Sequence, residues 1–159
     1  MSDQLRKELK QSKPFASLQE EAVLNIARTA SVLERQLTEV LKKADLSLTQ
    51  YNVLRILKGA GQKGLPCNEV AERLVTHDPD VTRLVDRMEK RGLVSRLRSS
   101  QDRRVVKVII TGAGSHLAGK LANPVGQLLK KQLHALNEKK LEELIEALEL
   151  IRQEAAAPE

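Results

Sequence analysis

Residues 81–110 read VTRLVDRMEK RGLVSRLRSS QDRRVVKVII, and the spacing of the apolar side chains changes within this stretch. At first they recur every three or four residues, which predicts a helix over residues 79–91 with one buried face. That face holds Val81, Leu84, Val85 and Met88. Gly92 ends the helical pattern. Residues 93–98 then alternate and residues 104–110 are rich in β-branched side chains, which predicts two strands joined by a polar turn.

The residues before this stretch predict another short helix, over residues 68–74. Its apolar side chains are Val70, Ala71 and Leu74. Asp78 suits the N-cap of the following helix and Pro79 suits its first position. Two short helices joined by a tight connection form a helix-turn-helix, and a β-hairpin directly after it makes a winged helix. We therefore predict a mainly α fold with a small β-hairpin, in which residues 46–112 form the winged helix-turn-helix.

Longer helices are predicted on both sides of this domain. In residues 17–45 the apolar positions are three and four residues apart over about seven turns, a heptad stripe. Such a helix, apolar on more than one side, usually packs against more than its own small domain, although burial within one chain remains open. Residues 113–153 form further leucine-rich helices. Residues 1–16 are expected to be a flexible arm, and residues 154–159 a frayed tail.

The positive charge of the chain is concentrated in residues 83–107. This stretch holds nine Lys/Arg and three acids, so that its net charge of +6 equals that of the whole chain. A polyanion partner explains such a concentration, because each neutralised phosphate releases counterions. A solvated charged face is the alternative. Arginine supplies seven of the nine cations, which favours bidentate contacts to phosphate and guanine.

The rest of the composition narrows the class of protein. Phe15 and Tyr51 are the only Phe, Tyr or Trp residues of the 159. Proteins that bind single-stranded nucleic acid stack the bases on aromatic side chains, so this composition disfavours that class. Duplex DNA is then the expected polyanion. One cysteine and the absence of a signal peptide or membrane-length apolar run predict a soluble, cytoplasmic protein. We find no nucleophile with a base, no metal-ligand spacing and no phosphate loop. We therefore expect that the protein is not an enzyme and that it binds neither a metal nor a cofactor.

The hairpin also carries a family signature. Asp102-Arg103-Arg104, six residues and Thr111-Gly112-Ala113-Gly114 resemble the wing motif Asp-x-Arg…Thr-x-x-Gly of the multiple-antibiotic-resistance regulator (MarR) family. Residues 81–94 are similar to the family's recognition helix and its Gly-Leu-Val exit, and residues 68–74 are similar to the helix before it. The resemblance covers about residues 45 to 115 by motif.

The resemblance implies a homodimer whose first and last helices interlock around a two-fold axis. The residues expected at that interface are Val23, Ile26, Leu33, Leu37, Leu141, Leu144, Leu148 and Ile151. Family members generally repress transcription from palindromic double-stranded DNA operators. Many release DNA when a small, often aromatic, anion binds or when a cysteine is oxidised. We therefore expect an operator partner and a small organic, aromatic acid-like effector.

In this fold the recognition helix enters the major groove. Thr82 and Arg83 point outward and are expected to contact phosphates or base edges of the DNA. Arg87 is expected to contact the DNA backbone. An ordinary solvated helix face is the alternative for all three. Asp80 fits poorly beside phosphate: it is either turned away from DNA or accepts a hydrogen bond from a cytosine amine.

At the wing, Arg104 matches the signature arginine and Arg103 adjoins it; such a side chain suits a narrow minor groove. Asp102 would repel phosphate, so its expected role is to orient Arg104, with a purely structural salt bridge as the alternative. Backbone contacts are expected from Arg98, Ser99 and Ser100.

Cys67 lies at the start of the helix-turn-helix. We interpret it as a small packing residue; the alternative is a redox sensor, because a helix N-terminus favours the thiolate. For the whole chain the leading hypothesis is a sequence-specific regulator. A non-specific duplex-binding architectural protein is the alternative, and a third is a winged helix that binds protein and has abandoned DNA.

Overall fold

The computed structural model describes residues 3–76, 80–98 and 105–156. Its helices are α1 (Gln4–Glu8), α2 (Leu18–Lys42), α3 (Leu48–Ala60), α4 (Cys67–Glu72), α5 (Val81–Lys90), α6 (Gly112–Gln132) and α7 (Glu138–Ala156), with one 3-10 turn at Gly61–Lys63. Its strands are β1 (Leu65–Pro66), β2 (Val94–Arg98) and β3 (Val106–Ile110). This confirms the predicted fold class, a mainly α winged helix-turn-helix. The chain divides into two compact units, residues 1–123 and 124–159.

Side-chain caps fix where the long helices begin. The Ser17 hydroxyl accepts a hydrogen bond from the Glu20 N–H at 3.1 Å and starts α2. Ser47 and Gln50 form a reciprocal capping box at the start of α3. The Asn137 side chain accepts a hydrogen bond from the Lys140 N–H at 3.0 Å and starts α7. α5 begins only at Val81, so Asp80 rather than Asp78 precedes it; Asp78 and Pro79 lie outside the described residues.

The sheet has three antiparallel strands in the order β1-β3-β2. The predicted hairpin is confirmed, with Val94 opposite Ile110 and Arg98 opposite Val106. Strand β1, which pairs Leu65 with Val108, was not predicted because two residues, one of them proline, show no alternation. Gly64 precedes it at φ +59°, where a Cβ would lie 2.6 Å from the Val108 oxygen. Only glycine allows β1 to approach β3 this closely.

The core of the first unit is aliphatic and lies under the helix-turn-helix and the sheet. Its fully buried large side chains are Leu41, Val53, Leu54, Leu57, Val70, Val85, Met88, Val94 and Val108. All four apolar residues predicted for the inner face of α5 are buried, which confirms that face. Each such side chain contributes about 1.5–3 kcal/mol relative to exposure. This packing fixes which side of α5 faces solvent.

The two ends of the chain contain helix that the sequence pattern did not predict. Within the segment expected as an arm, α1 buries Leu5, and Glu8 lies 3.6 Å from Arg28 of α2. α7 extends through Ala156, into the segment expected as a frayed tail. Five residues are too few to reveal a helical period. Across the described ranges, no helix is both long and apolar enough to cross a membrane.

Candidate nucleic-acid interface

The outer face of α5 is exposed and carries the predicted contact residues. Thr82, Arg83 and Arg87 are all exposed, opposite the buried apolar face. The Arg83 guanidinium lies 3.5 Å from the Asp80 carboxylate, with 81% of the Arg83 side chain exposed. An ion pair this exposed is worth less than about 1 kcal/mol, so exchanging it for a phosphate contact costs little. Asp80 thus faces Arg83.

Arg96 of β2 ties the hairpin to α5. Its guanidinium lies 2.5 Å from the Asp86 carboxylate and 2.6 Å from that of Glu89, and its backbone N–H donates to Glu89 at 2.9 Å. Nη2, the guanidinium nitrogen that faces Asp86, also donates to the Thr82 carbonyl at 3.5 Å. Burial alone lowers the pKa of Arg96, but the two carboxylates outweigh burial and raise it above its ordinary value. The cation is therefore permanent, and we call Arg96, Asp86 and Glu89 the Arg96 clamp.

Arg91, the residue directly after α5, ties the C-terminal end of that helix to the loop before α3. Its guanidinium donates to the Asp45 carbonyl at 2.5 Å and to the Ala44 carbonyl at 3.5 Å, and lies 3.5 Å from the Asp45 carboxylate. Asp45 has φ +51° in the loop between α2 and α3. Arg91 therefore donates hydrogen bonds to loop carbonyls that have no partner in a regular helix. Two of the nine cations in residues 83–107 thus hold the fold together.

The end of the hairpin is locked by the residues of the wing motif. The Thr111 hydroxyl donates to the Gly92 carbonyl at 2.6 Å and accepts from the Gly114 N–H at 3.1 Å. A Cβ on Gly114 would overlap the Leu93 carbonyl oxygen, so a side chain has no room there. Through these contacts, Thr111 and Gly114 connect the residues directly after α5 to the first turn of α6.

Known proteins share this arrangement. The family model of the MarR family matches residues 46–106. A MarR transcription factor from Planctomyces limnophilus, solved by crystallography, is 41% identical with a TM-score of 0.66, over 86% of this chain and 99% of that one. The HTH-type transcriptional repressor MdtR of Bacillus subtilis is 30% identical over 132 residues, which are 80% of this chain and 79% of MdtR. The chain belongs to the MarR family. It is accordingly a DNA-binding transcription regulator, in a family of regulators rather than enzymes.

The MarR fold is also evident at lower identity. The crystal structure of the S. aureus MepR–DNA complex contains a chain that is 21% identical with a TM-score of 0.74, over 81% of this chain and 94% of that one. At this identity the likeness concerns the fold. It covers a larger share of the chain than the motifs that carried the resemblance in the sequence.

The described structure brings together only part of the predicted DNA-binding set. Thr82, Arg83 and Arg87 share the outer face of α5, and Arg98 lies exposed at the end of β2. The other members lie outside the described residues; they are Ser99, Ser100, Asp102, Arg103 and Arg104. The DNA-binding role of every member of the set stays a prediction.

The residues predicted for a MarR-type dimer interface are poorly covered by their own chain. Val23 and Ile26 of α2 are 63% and 39% exposed, and Leu144 and Ile151 of α7 are 41% and 52% exposed. The remaining four are half-buried, namely Leu33, Leu37, Leu141 and Leu148. On each of the two helices, taken by itself, apolar side chains are thus exposed or half-buried.

Two positions qualify the sequence-based interpretation of this MarR protein. Cys67 is a free, half-buried thiol on the first residue of α4, and its packing and redox interpretations both stay predictions. The sequence analysis treats Arg96 only as part of the excess positive charge, so it missed the role of Arg96 in holding β2 against α5. The signal for that role was weak: Asp86 and Glu89, three residues apart, form an acidic pair on one helix face.

Proposed function

We propose that the protein is a homodimeric repressor that binds a pseudo-palindromic operator in duplex DNA. The observation that carries the proposal is the two-sided build of α5. Its inner face is buried, the Arg96 clamp and Arg91 hold its C-terminal half, and Thr82, Arg83 and Arg87 remain on its outer face. Because the backbone of this helix is already fixed by its packing, little backbone entropy remains to be lost when these three side chains bind.

Within the complex, the first turns of α5 lie in the major groove. Arg83 and Thr82 reach base edges or the phosphates beside them, and Arg87 meets the backbone. Arg103 and Arg104 of the wing enter the minor groove, with Asp102 orienting Arg104. Arg98, Ser99 and Ser100 contact the backbone and fix the register.

The homodimer forms through the uncovered apolar stripes of α2 and α7. The support is their exposure in the single chain, since side chains such as Val23 and Ile151 gain stabilisation only from a further surface. Two copies related by a two-fold axis place two α5 helices on one face of the duplex. The operator is therefore an inverted repeat.

Repression and an effector complete the proposal. MdtR, similar over 80% of this chain, is a repressor. We extend that role to this protein, acting in the cytoplasm, and infer that a small aromatic acid weakens its hold on DNA. Titrating benzoate and its substituted relatives into the protein–operator complex tests the effector. Affinity that stays constant across such acids contradicts it.

The main experiment selects binding sites from random duplex DNA at near-physiological salt, with wild type, Arg83→Ala and Arg104→Ala in parallel. Wild type is expected to enrich half-sites about 10 base pairs apart. Arg83→Ala is expected to weaken operator binding by about 1–3 kcal/mol and relax one position of each half-site. Arg152→Ala, an exposed arginine of α7, is the matched control.

The same experiment separates the two duplex-binding hypotheses. An architectural protein binds every sequence with a steep salt dependence and enriches no motif. If wild type behaves in this way, the proposal of a specific operator is wrong, and the residues of α5 make only electrostatic contacts with DNA.

A further inference from the structure

A solvent-open cleft of about 630 Å³ adjoins the outer face of α5 and contains residues that the sequence analysis did not assign. It lies where the last turns of α2 and α5 meet the first turn of α3. Its lining consists of Thr38, Lys42, Asp45, Leu46, Ser47, Gln50, Arg87, Lys90 and Arg91. We call it the basic cleft.

The charges of the basic cleft favour an anion. Four cations and one carboxylate line it, a net charge of +3. The carboxylate of Asp45 already faces Arg91 at 3.5 Å. Lys42 pairs with Glu39 at 2.7 Å, with both side chains more than 60% exposed, so that pair is weak and easily exchanged. Arg87 and Lys90 make no ion pair with any residue in the described ranges.

The start of α3 forms one side of the cleft through Ser47 and Gln50. The capping box uses the N–H groups of Ser47 and Gln50, and the Tyr51 N–H bonds to the Ser47 carbonyl. The N-terminus of α3 therefore faces the cleft at Ser47, and the positive end of its helix dipole reinforces the field of the four cations.

The basic cleft continues the surface that is proposed to meet DNA. Arg83, Arg87 and Lys90 follow one another at intervals of four and three residues, so they share one face of α5. At a rise of about 1.5 Å per residue, this row is roughly 10 Å long. It starts at the residues proposed for the major groove and ends at the cleft, where Lys42 of α2 lies on the far wall.

We propose that the basic cleft binds a backbone phosphate of the DNA duplex at the edge of the major groove entered by α5, through Lys42 and Lys90 beside the N-terminus of α3. This inference rests on the proposed function and adds a second element to its interface. A phosphate held here contributes affinity and register without reading sequence. It also makes the α2–α3 loop, which Arg91 ties to α5, part of the DNA-binding surface.

The test measures operator affinity against salt concentration for Lys42→Gln/Lys90→Gln. Its control, Lys130→Gln/Lys131→Gln, removes the same charge from exposed lysines at the end of α6. For each phosphate that the variant no longer neutralises, the slope of log K against log salt is expected to fall by about 0.9. In low salt the cleft variant binds at least tenfold more weakly than the control, yet it selects the same motif. Phosphate ethylation interference on wild type identifies the contacted phosphate, and that signal disappears in the cleft variant.

The outcomes separate this inference from the function on which it rests. If wild type selects a motif and both double variants share one salt slope, the cleft proposal is wrong and the regulator proposal stands. A cleft variant that selects a different motif also overturns it, because the cleft then reads bases. If wild type selects no motif and binds no duplex, both proposals fail together.

Discussion

Helices α5 and α7 are both amphipathic, but their apolar faces have different surroundings. In α5 the four apolar side chains are at most 5% exposed. In α7 no residue is buried, and Leu144, Ile145, Leu150 and Ile151 are between 41% and 61% exposed. The apolar face of α5 is thus covered by its own unit, whereas the apolar face of α7 is exposed. An amphipathic pattern alone therefore does not tell a core helix from an interface helix.

The inner face of α5 is where a substitution is expected to do the most damage. Met88→Ala removes a fully buried side chain and is expected to lower the free energy of unfolding by about 2–5 kcal/mol. Urea denaturation measures this decrease. Arg87→Ala, on the exposed face of the same helix, is the control and is expected to change stability by less than about 0.5 kcal/mol. Equal effects of the two substitutions would contradict the burial of this face.

The second prediction tests the apolar face of α7. Leu144→Asp is expected to weaken dimerisation by about 2 kcal/mol or more, roughly 30-fold, because it places a charge in an apolar interface. Sedimentation equilibrium measures the dissociation constant. Gln153→Asp introduces the same charge at another exposed position of α7 and serves as the control. If Leu144→Asp and Gln153→Asp dissociate equally, α7 does not form the interface.

The third prediction concerns the polar side of α5. Arg96→Gln leaves Asp86 and Glu89 without their cation and is expected to cost about 1–2 kcal/mol of stability. Operator affinity should fall as well, because β2 no longer holds α5. Arg98→Gln, two residues along the same strand and exposed, is the matched control for stability. A destabilisation by Arg98→Gln as large as that by Arg96→Gln would refute the clamp.

A more modest change is expected at the start of α5. Asp80→Ala removes a carboxylate 3.5 Å from Arg83 and is expected to tighten binding to random-sequence duplex about two- to fivefold. Fluorescence anisotropy at low salt measures the change. Glu146→Ala on α7 removes an equal charge from another helix and is the control. Weaker binding by Asp80→Ala would mean that Asp80 itself contacts DNA.

Much of the architecture was predictable because its signals are local. The heptad stripe of α2 and the buried face of α5 each involve residues within a few turns of one another. The resemblance to the MarR family rested on motif residues such as Thr111 and Gly114. The structure supplies the physical reason for that pair: a hydroxyl shared between two turns and a position with no room for a side chain.

Strand β1 and the Arg96 clamp were not predictable in this way. A two-residue strand has no period, and Leu65 belongs to a strand only because Val108 lies beside it. From the sequence, Arg96 is counted with the cations that favour DNA binding, because nothing in the neighbouring sequence distinguishes it from Arg98. Its role depends on the register that lays β2 across the polar side of α5.

The order of the residues was enough to specify the winged helix-turn-helix, the family and the stretch in which positive charge accumulates. Those properties follow from composition and from periods that a short segment carries on its own. The folded chain was needed to show which cations hold the fold together, which face outward, and that Lys42 and Lys90 share a cleft. An ion pair or a cleft depends on distances between segments far apart in the chain, and folding sets those distances through the packing of the whole core.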